Sequence, residues 1–207
     1  MTPMPTQITG AHFLASRHRA LLADEPRVGK TGAAIIAADM VIAKNIDVIT
    51  TASGRAVWRR GFYTWSKLPR TVGIIGVDKD AATCDVRIHS YNGASSFVNT
   101  RLNDLVILDE SHNCKNPEAK RTQAILGKPM AGGARMFNAN AFVQPETRAW
   151  FLTGTPLPHD PSDIWTTMRS SCPDRLNAND TAGWPDVVRF EDFRHRYCVI
   201  RMKKISH

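Results

Sequence analysis

Gly29-Lys30-Thr31 is a set of residues with which a protein can hold a polyphosphate and its divalent cation. The Lys30 ammonium offers a point charge to the outer phosphates, and the Thr31 hydroxyl offers a hard oxygen to Mg²⁺. Glycine just before them lets backbone N–H groups approach the phosphate oxygens closely. Asp24-Glu25-Pro26-Arg27-Val28 forms the polar turn ahead of this triplet, after the apolar run Leu21-Leu22-Ala23. A glycine usually stands where Asp24 does, so on these residues alone a plain strand–turn–helix is an equal alternative. The second group is Asp109-Glu110-Ser111-His112, which follows Leu105-Val106-Ile107-Leu108. A carboxylate at the end of a buried strand can hold Mg²⁺ through water, and Glu110 beside it can polarise the water that attacks a γ-phosphate. Two acids ending a strand are commonplace. Together with Gly-Lys-Thr on another strand end, they become complementary parts of one metal–nucleotide site.

The elements that must position these groups are legible as alternating apolar patterns. Helix is expected at Gln7 to Ser16, Thr31 to Ala43, Ser53 to Trp65, Asn92 to Leu102, Pro117 to Leu126 and Pro161 to Met168. Strands are expected at Ala20 to Ala23, Ile46 to Thr50, Thr71 to Val77, Val86 to His89, Leu105 to Leu108 and Trp150 to Leu152. The continuous apolar run at 105–108 suits a strand buried on both faces of a parallel sheet. Such alternation implies an α/β fold with helices covering a mostly parallel central sheet and the ligand at the carboxyl ends of the strands. Residues 127–147 and Ser170 to Trp184 are aperiodic and irregular.

With 207 residues, 43% of them hydrophobic, the chain can bury one core, so a single domain over 1–207 is expected. The net charge of +8 favours an anionic partner, nucleic acid above all. Cys84, Cys114, Cys172 and Cys198 show no Cys-x-x-Cys spacing, which argues against zinc and disulfides and fits a reducing compartment. Neither a signal peptide nor a membrane span is evident, so a soluble, cytoplasmic location is expected. The stretch from Arg194 to the end carries Arg194, Arg196, Arg201, Lys203 and Lys204 without an acid. It reads as a solvated basic tail or a phosphate-binding arm.

Taken in order, Asp24-Glu25…Gly29-Lys30-Thr31, Asp109-Glu110-Ser111-His112 and Leu152-Thr153-Gly154-Thr155-Pro156 resemble motifs I, II and III of superfamily-two helicases. Their particular forms resemble the Swi/Snf branch of DNA-dependent ATPases. Ser90-Tyr91, Lys115-Asn116-Pro117, Asp163-Ile164-Trp165, Gln7 with Phe13 and Leu14, and Phe193…Arg196-Tyr197-Cys198 resemble further family segments. The resemblance covers nearly the whole chain.

It implies a RecA-like P-loop lobe that binds ATP with Mg²⁺. Carried over by position, residues Asp24, Glu25, Pro26, Arg27, Val28, Gly29, Lys30 and Thr31 line the phosphates, and Gln7 contacts adenine. Thr31 and Asp109 hold the metal, and Glu110 is the catalytic base. His112, Thr153, Gly154 and Thr155 couple the nucleotide state to DNA, whose phosphates Thr51, Ser53, Arg55 and Ser90 are candidates to contact. Pro26-Arg27 replaces the Met-Gly usual in the family's loop, and Thr6 stands where an aromatic often precedes the glutamine. The link over 127–147 is longer than the family's. No second RecA-like lobe is recognisable, so slow turnover is expected unless a partner lobe supplies transition-state arginines in trans. A nucleotide-binding scaffold for DNA or protein, without productive turnover, is the alternative function.

Overall fold

The apolar runs become short strands whose order in the sheet differs from their order in the chain. The structure, a computed structural model, describes residues 2–129, 136–137, 140–171, 190 and 193. The main sheet is built from β1 (Arg19–Leu22), β2 (Ile46–Thr50), β3 (Val72–Ile74), β4 (Val86–Ser90), β5 (Leu105–Asp109) and β8 (Arg148–Leu152). They lie side by side in the order β1-β8-β5-β2-β4-β3, and every pairing is parallel. A separate antiparallel pair joins β6 (Lys128–Pro129) to β7 (Met136–Phe137).

Side chains alternate across each strand, so the sheet has two apolar faces, each of which must be covered. On one face α1 (Pro5–Ala15), α2 (Lys30–Met40) and α3 (Gly54–Trp65) pack Leu14, Ile35, Trp58 and Phe62 against Val48, Ile88, Ile107 and Trp150. On the other, α4 (Tyr91–Ser96) and α5 (Lys120–Leu126) pack Tyr91, Ala94, Ile125 and Leu126 against Ile49, Val106, Leu108 and Phe151. This is the expected α/β architecture, a parallel sheet with helices on both faces. Beyond β8, a 3₁₀ turn over Pro161–Ile164 leads into α6 (Trp165–Ser171), where Trp165 packs with Phe190 and Phe193.

Several boundaries move for identifiable reasons. The strand expected to reach Val77 stops at Ile74, because the Val77 and Asp78 amides turn back to the Ile74 carbonyl. The helix expected to reach Leu102 ends at Ser96. Polar side chains after it bond elsewhere: Asn99 accepts from Arg87 at 2.9 Å, and Arg101 donates to the Cys84 carbonyl at 2.8 Å. The helix expected from Pro117 begins at Lys120, since the Asn116 side chain accepts from the Glu118 amide and holds a turn there. Within the 127–147 stretch, the described residues 141–143 are not external. Phe142 is fully buried, and the Val143 amide donates to the Ile125 carbonyl at 3.0 Å. The basic stretch from Arg194 onward, including Arg196-Tyr197-Cys198, lies outside the described residues, as do residues 172–184. No helix among the described residues is long and apolar enough to cross a membrane.

Candidate functional site

Strands β1, β8 and β5 are adjacent, and the register sets Leu22 and Asp109 on either side of Leu152. The three segments that leave their carboxyl ends are residues 23–29, 110–112 and 153–156. Groups more than a hundred residues apart in sequence therefore meet along one edge of the sheet.

The expected phosphate turn is shaped by two left-handed backbone positions. Gly29 has φ +86°, and α2 begins directly after it at Lys30. Arg27 also sits in the left-handed region, at φ +69°, with its side chain exposed. That conformation explains why a glycine suits this place in the family's loop and why the arginine there is unusual. The Lys30 ammonium donates to the carbonyls of Asp24 and Glu25, both at 2.8 Å. A cation resting on neutral carbonyls, with no carboxylate partner among the described residues, is available to an anion.

Glu110 ends β5 in a left-handed conformation, φ +54°, and its carbonyl is held by the Asn113 side chain at 2.8 Å and the Asn113 amide at 3.0 Å. Its half-exposed carboxylate lies 3.4 Å from His112 Nδ1. The same nitrogen is 3.0 Å from Thr153 Oγ1 and 3.2 Å from Thr155 Oγ1, and the Thr155 amide donates to Thr153 Oγ1 at 3.0 Å. Three of the expected coupling residues, His112, Thr153 and Thr155, thus form one hydrogen-bonded cluster, with the Glu110 carboxylate beside it. Gly154 joins the third segment to the first: a Cβ there would lie 2.9 Å from Pro26 Cγ, so only glycine lets these loops touch. Further out, Lys115 bridges to Asp163 at 3.3 Å, and Thr166 Oγ1 donates to the Cys114 carbonyl at 2.6 Å.

Asp109 is anchored from behind. Thr50 Oγ1 and Trp58 Nε1 both donate to its Oδ2 at 2.8 Å, and Tyr91 OH donates to its backbone carbonyl at 2.8 Å. Complete burial pushes the Tyr91 phenol well above its ordinary range, so it stays a neutral donor. No pattern of spacing singles out Thr50 or Trp58, because the contacts span 59 and 51 residues of sequence.

Gln7 is buried beside the turn. Its side-chain oxygen accepts from the Met4 amide at 2.9 Å, and its nitrogen lies 3.4 Å from the Gly29 carbonyl. In this arrangement its amide fixes α1 to the start of α2. Of the four candidate DNA contacts, Thr51 and Ser90 stand at the ends of neighbouring strands, because β2 and β4 pair with Thr50 opposite Ser90. Thr51 Oγ1 and Ser53 Oγ are 3.3 Å apart, Ser90 Oγ caps α4 through the Gly93 amide at 3.0 Å, and Arg55 donates to the Ile75 carbonyl at 3.2 Å. Thr51, Ser53, Arg55 and Ser90 flank the carboxyl edge next to β5.

No family model matches the chain. Among curated proteins it is 30% identical, over 202 residues, to SWI/SNF-related matrix-associated actin-dependent regulator of chromatin subfamily A-like protein 1 of Xenopus tropicalis. That match covers 94% of this chain and 19% of the relative, so the chain spans about a fifth of that protein's length. It is 32% identical over 88 residues to Helicase SWR1 of Gibberella zeae, which covers 42% of the chain and 4% of the relative. Among solved structures it resembles the Sulfolobus solfataricus SWI2/SNF2 ATPase core in complex with dsDNA, with a TM-score of 0.71 at 18% identity. The likeness covers 94% of this chain and 38% of that one. Its relatives in sequence and its RecA-like fold are together consistent with a lobe of a Swi/Snf-type superfamily-two ATPase.

Proposed function

We propose that the chain binds MgATP at the carboxyl ends of β1, β5 and β8 and contributes to ATP hydrolysis coupled to movement on duplex DNA, the site being completed by a second lobe. The observation that carries this reading is the convergence of Lys30, Asp109, Glu110 and the His112–Thr153–Thr155 chain on three adjacent strand ends. The donor set fits a hard cation. Asp109 Oδ1 has no hydrogen-bond partner among the described residues, and Thr31 supplies a hydroxyl. Mg²⁺ is commonly held by one or two protein oxygens together with substrate phosphates. Bound there, the ion neutralises charge that develops on the phosphates.

The chain's own residues do the remainder. Lys30 exchanges its two carbonyl partners for phosphate oxygens, and the amides of the turn and of the α2 start surround the same group. Glu110 accepts hydrogen bonds from a water and orients it for attack, and His112 transmits any shift of Glu110 to Thr153 and Thr155. Gln7 is within reach of the turn for an adenine contact once its present bonds are exchanged. Phosphates of a DNA strand would lie against Thr51, Ser53, Arg55 and Ser90, and the formal charge of +8 favours that approach.

Titration of ATP against the wild type and Lys30→Ala tests the reading. Affinity should fall at least about tenfold in the variant, as for the loss of a charge-assisted contact. Equal affinity in the two chains would remove the phosphate site.

A further inference from the structure

We infer that α3 sets the relative position of the two metal-binding groups, with Trp58 as a positioning residue that acts through Asp109. The inference rests on the MgATP reading above and extends it to residues that reading leaves out.

Two residues of α3, one turn apart on one face, each lie beside a residue that bears one of those groups. The Trp58 indole N–H donates to Asp109 Oδ2 at 2.8 Å. Three positions on, Gly61 lies against α2, where an added Cβ would meet Thr31 Cγ2 at 3.2 Å and Ile35 Cδ1 at 3.0 Å. The helix therefore gauges Asp109 at the end of β5 against Thr31 at the start of α2. Trp58 is 1% exposed, so its N–H has no water to turn to and the bond fixes the carboxylate rotamer. Thr50 donates to the same oxygen at 2.8 Å, so both donors hold Oδ2 and leave Oδ1 for a ligand. Tryptophan supplies a ring large enough for the core and one N–H with a fixed direction, and phenylalanine supplies only the ring. The helix begins at Gly54, directly after Thr51 and Ser53, so a ligand that displaces its start shifts the Trp58 and Gly61 contacts together.

The test uses the whole chain and separates metal binding from nucleotide binding. A fluorescent ATP analogue is titrated in excess chelator and then at fixed concentration against Mg²⁺, for the wild type, Trp58→Phe, Thr50→Val and Lys30→Ala. Thr50→Val keeps shape and removes the second donor, so it stands in should Trp58→Phe fold poorly by far-ultraviolet circular dichroism. Loss of an outer-shell donor should raise the Mg²⁺ concentration for half-maximal binding by about tenfold or more in Trp58→Phe and Thr50→Val. Affinity for the metal-free nucleotide should stay at the wild-type value in both. Lys30→Ala should lose both kinds of binding. An unmoved Mg²⁺ requirement in folded Trp58→Phe and Thr50→Val, with Lys30→Ala impaired, overturns this inference alone. Wild-type affinity in Lys30→Ala overturns the nucleotide reading beneath it.

Discussion

Asp47 and Asp109 stand on the neighbouring strands β2 and β5, and their surroundings are opposite. Asp47 is fully buried and both of its oxygens meet cations. Arg87 donates to it at 2.7 and 2.5 Å, His89 Nε2 is 3.1 Å away, and Arg101 reaches within 3.6 Å. Asn99 takes a further Arg87 bond at 2.9 Å, and Phe97 and Phe142 enclose His89 with ring centres 4.8 and 4.9 Å away. Asp109, in contrast, receives two neutral donors on one oxygen and keeps the other free of protein partners among the described residues. A carboxylate whose charge is cancelled on all sides holds structure together, whereas one anchored on a single oxygen by neutral groups retains its charge for a ligand.

Removal of the buried charge gives the largest effect and tests that contrast directly. Asp47→Asn leaves the Arg87 guanidinium, 3% exposed, without its counter-ion and should cost about 3–5 kcal/mol in urea unfolding. That is a large share of the roughly 5–15 kcal/mol typical of a domain. Replacing Asp47, Arg87 and His89 together with Val, Met and Leu should recover part of the loss, because the Arg87 charge then no longer stays buried, although Arg101 loses Asp47 as a neighbour. Lys30→Ala should shift the same urea curve by less than about 1 kcal/mol, since the half-buried ammonium only rests on its own loop. A Lys30 variant as unstable as Asp47→Asn would erase the contrast between the two clusters.

Acid provides a second and smaller perturbation of the same network. Burial alone pushes the Asp47 carboxyl up, but the hydrogen bonds and charges of His89 and Arg87 outweigh it and hold the group below the usual carboxylate range. Asp85 lies below that range as well, chiefly through the Thr71 amide and then the Thr71 hydroxyl. A carboxyl lowered by folding adds stability above its unfolded value, about 3.9, and loses it as pH falls through the folded one. Urea midpoints should therefore be flat from neutrality to about pH 4 on account of these groups and fall below it. Asp47→Asn should show a shallower fall. An equally steep acid limb in that variant would assign the loss to other carboxyls.

The sheet was legible because most of its strand residues are buried, and a strand covered on both faces, such as 105–108, favours a continuous apolar run. Two of the candidate site's segments, Gly29-Lys30-Thr31 and Asp109-Glu110, were legible because phosphate and metal chemistry restricts which residues can follow a strand, and the third, Thr153-Gly154-Thr155, was legible only through the family resemblance. What the sequence concealed are contacts fixed by tertiary approach. Trp58 reads as an apolar position on a helix face, and nothing local announces that its N–H meets Asp109. Pro26 and Gly154 touch only because β1 and β8 are neighbours. The Asp47 network left a faint trace: Arg87 and His89 alternate with Val86 and Ile88, which marks one polar face on a strand that is buried from Val86 to His89. The same network shortened α4, since Asn99 and Arg101 are drawn to Arg87 and the β4 entrance and not into a further helical turn.

The smallest effect belongs to the phosphate turn, the open counterpart of the buried network. Arg27 at φ +69° carries a left-handed strain of roughly 1–2 kcal/mol that glycine would not. Arg27→Gly releases that strain but gives the unfolded chain about 0.5–1 kcal/mol of extra freedom, so the net gain should be no more than about 1 kcal/mol. In a chain of this size that corresponds to a rise in Tm of about 2–4 °C at most. Arg27→Val has a branched Cβ that tolerates positive φ poorly and should lower Tm, so the two variants should move in opposite directions. Equal Tm values for the valine and glycine variants would show that the turn is not held in the left-handed form before nucleotide arrives. The loop's shape would then be imposed by the phosphates, and the Lys30 contacts with Asp24 and Glu25, the Gln7 contact with Gly29 and the approach of Pro26 to Gly154 would restrain it only loosely beforehand.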